Sequence, residues 1–477
     1  MQSHQTGAVA PPRALGALDV TLFMITAGCS LQWTATAAAA GPSSLTIWLL
    51  GGVGFFLPLS LSVIFLTSRY PEVGGLYAWT RLAFGPYAGF MTGWTYWTGT
   101  LAFLPSVLYF TAGSALLSST RMDAASATPA WFIGFSVTAL ILAAVLNVRG
   151  LSVAKWLNSV GAVARWVGTA LLVALAIASW WRFGPATDIN RHTMVPTFRL
   201  ADVIFWTTLA FCFTGPEAAS FMGNEIRDPR RSIPRGLMLA APMIAGIYII
   251  GTASILLSIP PERASGVYGV IESVRAAAGR LGLWWLVPLG AACVVLDRVG
   301  SVCLWIGALA RIPVSAGIDT YLPARLTRID PRNGAPATAI WVQALIVAAL
   351  VLIGQSGTSI RGAYNVLIEM MVVASLVPFL TLFGAAIKLS AGPCRDGEIR
   401  IPGGRALIVG TAVLGLATTA ASIVVAFIPP PEEINPTLAV LKIAGLNAVL
   451  LLGGSALFLY GNARVHAGRS GQNQPVV

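Results

Sequence analysis

Long runs of apolar residues, separated by short polar stretches, cover most of this chain. A run of 18 or more apolar residues is long enough to cross a membrane as an α-helix. The alternating polarity that would indicate a membrane barrel is absent from the sequence. The pattern predicts an all-α membrane protein with about twelve transmembrane helices, at about residues 17–37, 45–67, 87–117, 130–148, 156–180, 201–223, 236–259, 283–309, 337–355, 363–388, 405–428 and 437–460.

Composition agrees with this interpretation. Of the 477 residues, 56% are hydrophobic and only 10% are charged, whereas a soluble domain is about 25% charged. A soluble fold of this size would lack the polar surface needed to cover it. We therefore expect the lipid bilayer to surround the chain, and we find no linker or soluble domain in the sequence.

The net charge of +12 is explained by orientation in a membrane. Twelve spans put both termini on the same side, where 19 of the 30 Lys and Arg residues would lie, against nine on the other side. The positive-inside rule then predicts a multi-pass protein of the cell (plasma or inner) membrane with cytoplasmic N- and C-termini. No nucleic-acid partner is expected.

Residues that carry enzyme or metal chemistry are scarce. The three histidines, His4, His192 and His466, lie in tails or in a loop, and the five cysteines form no C-x-x-C pair. Neither a metal site nor a disulfide framework is indicated. We therefore expect no cofactor, no bound metal and no enzymatic activity.

Two of the predicted spans contain helix-breaking residues near their middle. The first contains "MITAGCSLQW" (24–33), with Gly28 among small residues, and the sixth contains "FTGPEA", with Gly215 next to Pro216. Proline removes a backbone donor, and glycine allows an unwound turn. Breaks at matching positions of two five-helix halves indicate a transporter site between inverted repeats. Two ordinary helix kinks are the alternative.

Several longer motifs resemble those of the amino acid–polyamine–organocation permeases. They are "YPEVGGLYAWTRLAFGPYAGFMTGWTYW" (70–97), "LNSVGAVAR" (157–165), "FCFTGPEAASFMGNEIRDPRRSIPRGL" (211–237) and "ARIPVSAGIDTYLPARLTRIDPRNGAPATAI" (310–340). The resemblance covers about residues 15–390 and implies a LeuT-type fold with the substrate at the midplane. The implied organisation is a cytoplasmic tail 1–16, a transport core 17–390 with inverted five-helix repeats at about 17–180 and 201–388, two C-terminal helices within 405–460 and a cytoplasmic tail 461–477.

The resemblance also implies which residues meet the substrate. In the first span the family has a small, glycine-rich segment that binds the substrate carboxylate, and the half-helix after it presents free N–H groups. Ala27 and Cys29 stand where the family often has glycine. In the sixth span, freed carbonyls at the end of a half-helix would face an ammonium group. The candidate substrate-binding residues are Ala27, Gly28, Cys29, Ser30, Phe211, Thr214, Gly215 and Glu217.

Five of the ionisable residues within the predicted spans are candidates for a role in transport or in helix packing. Arg165 stands where relatives have a lysine that substitutes for a sodium ion, with a structural cation as the alternative. Glu217 and Glu369 are candidates for proton coupling. The alternative for Glu217 is a packing role, and the alternatives for Glu369 are an outer gate or a side chain that reaches toward polar headgroups. Asp297 and Arg298 are neighbours whose side chains diverge by about 100° on a helix, so we expect each to pair with a different helix.

These observations predict a secondary active transporter that moves amino acids, or closely related amines, by alternating access without sodium. Proton symport and substrate exchange both remain open, as do the identity of the substrate, the direction of flux and the oligomeric state. The alternatives are a membrane sensor that binds an amino acid without net flux and a permease for polyamines or other amines.

The predicted orientation is testable with two tagged variants. A reporter fused after Val477 should report the cytoplasm, and a cysteine placed at Arg121 should react with an impermeant thiol reagent from outside, because the basic loops remain inside. Activity of the C-terminal fusion in the periplasm would reverse the orientation.

Overall fold

The structure is a computed structural model that describes residues 15–71, 75–119, 126–149, 151–197, 200–222, 226–315, 321–323, 325–330, 334–392, 399, 401–428 and 435–472. The described part is helical, and its β-type pairing is a single bridge between Leu15 and Ile226. Arg121 and Val477 of the orientation test lie outside the described residues.

Seventeen α-helices follow one another along the described chain. They are α1 (Ala17–Gly28), α2 (Leu31–Ala39), α3 (Ser43–Gly51), α4 (Leu57–Arg69), α5 (Leu76–Phe84), α6 (Pro86–Leu116), α7 (Pro129–Arg149), α8 (Leu151–Phe183), α9 (Leu200–Cys212), α10 (Pro229–Ser258), α11 (Gly269–Leu281), α12 (Leu286–Leu309), α13 (Ile312–Ser315), α14 (Ala337–Gln355), α15 (Ile360–Leu389), α16 (Gly404–Val425) and α17 (Pro436–Gln472). A π-helical turn at Gly52–Phe56 joins α3 to α4, and a short 3₁₀ helix at Pro216–Met222 follows α9.

Ten helical segments of the described chain are long and apolar enough to cross a membrane. They are α3–α4 taken together, α6, α7, α8, α10, α12, α14, α15, α16 and α17. Predicted spans 1 and 6 are each divided into two shorter pieces, α1 with α2 and α9 with the 3₁₀ helix. The all-α class is confirmed, and the count of twelve spans stays a prediction.

The long helices differ in how deeply they are buried. Helices α6 and α15 pack along each other and are almost fully enclosed by protein, whereas α16 and α17 are the least enclosed. Helix α12 packs along α8, and α1 packs on α10. Of the broken spans, α9 contacts the enclosed α15, and the two C-terminal helices lie at the edge of the helical body.

The first break is a short extended segment between two helices. Helix α1 ends at Gly28, and Cys29 (φ −111°, ψ 132°) and Ser30 (φ −147°, ψ 128°) are extended. The Ser30 hydroxyl then accepts a hydrogen bond from the Gln32 amide at 3.3 Å and caps α2. A serine in this position is a common helix start, so the chain becomes helical again at once.

The second break requires glycine. Helix α9 ends at Cys212, and Gly215 adopts φ +117°, a conformation that L side chains rarely adopt. A Cβ atom on Gly215 would also lie 2.7 Å from the carbonyl oxygen of Ala27. On the other side, a Cβ atom on Gly28 would lie 3.1 Å from Cγ of Pro216. The two predicted breaks are thus confirmed, and they touch each other.

Substituting Gly215 with alanine tests this close contact. An alanine rarely adopts this positive φ, and its methyl group would clash with the Ala27 carbonyl. Gly215→Ala should therefore lower the free energy of unfolding by about 1–3 kcal/mol and impair transport. Thermal unfolding of the purified protein measures the first effect. Gly246→Ala is the matched control, because a Cβ atom there meets nothing within 4 Å. Equal melting temperatures for the two variants would contradict the prediction.

Candidate functional site

A small cavity lies where the two breaks meet. Its volume is about 50 Å³, which is room for a few water molecules, and a larger ligand would have to widen it. Its wall comes from α1 and α2, α6, α8, α9, α10, α12 and α15. All of the predicted substrate-binding residues line it, namely Ala27, Gly28, Cys29, Ser30, Phe211, Thr214, Gly215 and Glu217.

Aromatic rings form one side of this cavity. Phe211, predicted from sequence, meets Trp33 edge to face with ring centroids 5.6 Å apart and lies 5.5 Å from Phe103. Trp33 and Phe103 also stack on each other at 5.9 Å. All three rings line the cavity, so one face of a bound molecule would meet an apolar surface.

Glu217 lies at the start of the 3₁₀ helix and is almost fully buried (1% exposed). Its carboxylate accepts a hydrogen bond from the Gly215 amide at 2.7 Å and one from the Tyr96 hydroxyl at 3.1 Å. The first bond satisfies an amide that the break leaves without a helical partner. Glu217 therefore both stabilises the break and contributes an acid to the cavity wall.

Arg165 sits among oxygen atoms from two other helices. Its guanidinium donates to the Thr26 carbonyl at 2.6 Å, to Oδ1 of Asp297 at 2.8 Å and to the Ser301 hydroxyl at 3.1 Å. A carbonyl, a carboxylate and a hydroxyl are ligands that bind a hard metal cation. The guanidinium thus occupies a cluster of oxygens between α1, α8 and α12.

The prediction that Asp297 and Arg298 each contact a different helix is confirmed, and one further contact was not predicted. Each does contact another helix, because Asp297 binds Arg165 and Arg298 donates to the Ser30 hydroxyl at 2.9 Å. They also bind each other, with Nε and Nη2 of Arg298 lying 2.8 and 2.5 Å from Oδ2 of Asp297. The arginine side chain is long enough to fold back onto its neighbour, which the helical angle alone does not capture.

Glu369 is separate from this site. It is buried in α15 (2% exposed), so it does not reach toward lipid headgroups, and it is not part of the cavity wall that the described residues form. Its role in a gate or in coupling stays a prediction.

Tyr248 on α10 was not predicted, although it connects the two breaks. Its hydroxyl lies 2.5 Å from the carbonyl oxygen of Gly28 and 3.0 Å from that of Cys212, the last residues of α1 and α9. Its ring stacks on Trp48 at 4.5 Å. A tyrosine inside an apolar span carries no signal of its own. Ser301 was also missed, although it stands one helical turn after Asp297 and therefore on the same face of α12.

Comparison with known proteins gives the family. A family described as "Amino acid permease" matches residues 15–450. The chain belongs to this amino acid permease family. The permease is thus a multi-pass membrane transporter of the amino acid–polyamine–organocation group, as the sequence motifs predicted, and its family consists of transporters rather than enzymes.

Individual relatives agree with the assignment. The permease is 27% identical over 455 residues to an uncharacterised transporter of Legionella pneumophila, covering 94% of this chain and 95% of the relative. It is 23% identical over 362 residues to a probable agmatine/putrescine antiporter of Lactococcus lactis, covering 74% and 75%. Among solved structures, MhsT in complex with L-phenylalanine matches with a TM-score of 0.56 and 14% identity, covering 87% of the permease and 99% of MhsT. This last likeness confirms the LeuT-type fold.

Substituting Glu217 with glutamine tests whether its charge matters. The amide oxygen can still accept from the Gly215 amide and the amide nitrogen can donate to the Tyr96 oxygen, so the variant should fold normally. Transport should fall by roughly tenfold or more, or lose its pH dependence, because a charge-assisted interaction and an exchangeable proton are lost. Uptake at several pH values and a melting curve measure both.

Tyr96→Phe is the matched control, because it removes one hydrogen bond to Glu217 and keeps the acid. This variant should keep a pH-dependent rate, which Glu217→Gln loses, because the ionisable acid is still present. A wild-type rate and pH profile in Glu217→Gln would show that the residue serves only in packing.

Proposed function

We propose that the permease is a secondary active transporter of amino acids, or of closely related amines, that works by alternating access without sodium. The cavity offers complementary ends for a zwitterion. The positive N-terminal end of α2 suits a carboxylate, and the negative C-terminal end of α9 suits an ammonium group. The proposed substrate contacts are the cavity-lining residues predicted from sequence.

The observation that carries the sodium-independent part is the position of Arg165. A fixed guanidinium bonded to Thr26, Asp297 and Ser301 already supplies positive charge among oxygens that would otherwise suit a metal ion. Arginine remains protonated in proteins, so this charge is permanent. A sodium ion at the same place would meet both a filled site and a like charge.

Coupling must then use another group. Because Arg165 cannot release a proton, any proton symport would run through a carboxylate, with Glu217 in the cavity wall the first candidate and Glu369 the second. Substrate exchange needs no proton carrier, and the antiporter from Lactococcus lactis supports it. Proton symport and exchange make opposite predictions for uptake into vesicles that contain no substrate.

Two other functions are alternatives to amino acid transport: a permease for amines, which a relative supports, and a sensor, which a flux assay would distinguish. The named substrates of the same antiporter favour a permease for polyamines or other amines. A sensor that binds an amino acid without flux would bind ligand but accumulate none in proteoliposomes. For location, we propose the cell membrane with both termini in the cytoplasm, which the distribution of basic residues supports.

Uptake into proteoliposomes tests the proposal. The ligand for the assay is the amino acid that raises the melting temperature of the purified permease most in a screen of amino acids and polyamines. The permease should accumulate it at the same rate when sodium is replaced by choline. Preloading with unlabelled substrate and varying the external pH distinguish exchange from symport. A strict sodium requirement would contradict the assigned role of Arg165.

Variants of Arg165 sharpen the test. Arg165→Lys should retain part of the flux, because it keeps a cation among the same oxygens. In Arg165→Ala the transport rate should fall by roughly tenfold or more, because the Thr26 carbonyl loses a charged hydrogen-bond donor. Asp297 keeps Arg298 as a partner, so gross misfolding is not expected. Wild-type flux in Arg165→Ala would leave this arginine with no part in transport.

A further inference from the structure

Two arginines share one carboxylate at the edge of the cavity. Oδ1 of Asp297 accepts from Arg165, and Oδ2 accepts from Arg298. Asp297 and Arg298 are each 2% exposed. Because neither guanidinium can deprotonate, the cluster of Arg165, Asp297 and Arg298 sets two positive charges against one carboxylate, which leaves one positive charge unbalanced.

The unbalanced charge lies beside the first break. Arg298 donates through Nη1 to the hydroxyl of Ser30, the residue that caps α2, and both residues belong to the cavity wall. The other acid in the wall, Glu217, is held by Tyr96 and Gly215. Among the described residues, the ion pairs of Arg165 and Arg298 all end on Asp297.

Arg298 also has hydrogen-bond donors to spare. A guanidinium carries five N–H groups, and the bonds of Arg298 to Asp297 and Ser30 use one N–H each from Nε, Nη1 and Nη2. One N–H on each terminal nitrogen is left. Buried donors without an acceptor are costly, and a planar pair of guanidinium nitrogens fits a carboxylate in two-point geometry.

We propose that Arg298 binds the carboxylate of the substrate at the N-terminal, positive end of α2, and that it thereby selects amino acids over polyamines. This inference rests on the proposed function. A carboxylate at Ser30 would neutralise the unbalanced charge and satisfy the spare donors. A diamine such as putrescine would bring a second positive charge toward a fixed one, and so would be disfavoured.

A set of three matched ligands tests the role of Arg298. The set consists of the amino acid that the wild-type permease binds best, its carboxamide, which has the same shape without the negative charge, and the amine that remains after decarboxylation. Calorimetry on the purified full-length protein gives the three affinities. The wild type should prefer the amino acid to the carboxamide by roughly 10- to 100-fold, as expected for a hydrogen-bonded charge.

Arg298→Gln should abolish this preference and leave the affinity for the carboxamide nearly unchanged. Arg298→Lys should restore part of it, because it keeps the charge but loses the two-point geometry. Arg165→Gln is the matched comparison: it removes the same unit of charge from the cluster but leaves the Arg298 donors beside Ser30, so it should reduce flux and lower the preference for the amino acid by much less than Arg298→Gln does. Asp297 keeps one arginine partner in either glutamine variant.

The outcomes are distinguishable. A wild type that binds amino acids, combined with an Arg298→Gln variant that weakens all three ligands by the same factor, would make Arg298 a structural residue and overturn this inference alone. A wild type that prefers the decarboxylated amine would also overturn it. A wild type that binds no amino acid and no amine would overturn the proposed function, and this inference with it.

Discussion

Backbone polar groups must find partners inside a membrane, and this constraint governs the centre of the permease. An unpaired N–H or C=O group in hydrocarbon costs several kcal/mol, so a helix can be broken only where other groups replace its lost hydrogen bonds. Here the replacements are side chains: Tyr248 at the carbonyls of Gly28 and Cys212, Arg165 at the carbonyl of Thr26 and Glu217 at the amide of Gly215.

The same contacts distribute charge around the cavity. The cationic cluster of Arg165, Asp297 and Arg298 lies beside the first helix break, and Glu217 lies at the second helix break. The half-helix dipoles act in the same sense, with the positive end of α2 at the first break and the negative end of α9 at the second. Side-chain charge and backbone dipole therefore reinforce each other, and the cavity is polar along one direction although it lies among apolar helices.

The sequence predicted those parts that depend on local chemistry. Gly215 and Pro216 marked a break because proline lacks a donor and glycine tolerates positive φ, and Arg165 and Glu217 stood out because charge is rare in an apolar span. Tyr248, Tyr96 and Ser301 could not be found in this way, because their importance comes from which helix they face. The pairing of Arg298 with Asp297 depends on the rotamer of a long side chain, which spacing does not determine.

Arg165 links the charge arrangement to movement in the proposed transport cycle. Its bonds to Asp297 and Ser301 end on α12, whereas its bond to Thr26 ends on α1, next to the break. If α1 moves relative to α8 and α12 when the cavity opens, the bond to Thr26 can break while the other two keep the guanidinium paired. The cation would then remain in the membrane without a large cost, and the freed Thr26 carbonyl could take water from the opening cavity. A metal ion in this position could leave with the moving helix, but a tethered arginine cannot, so its charge would act on both open states of the cavity.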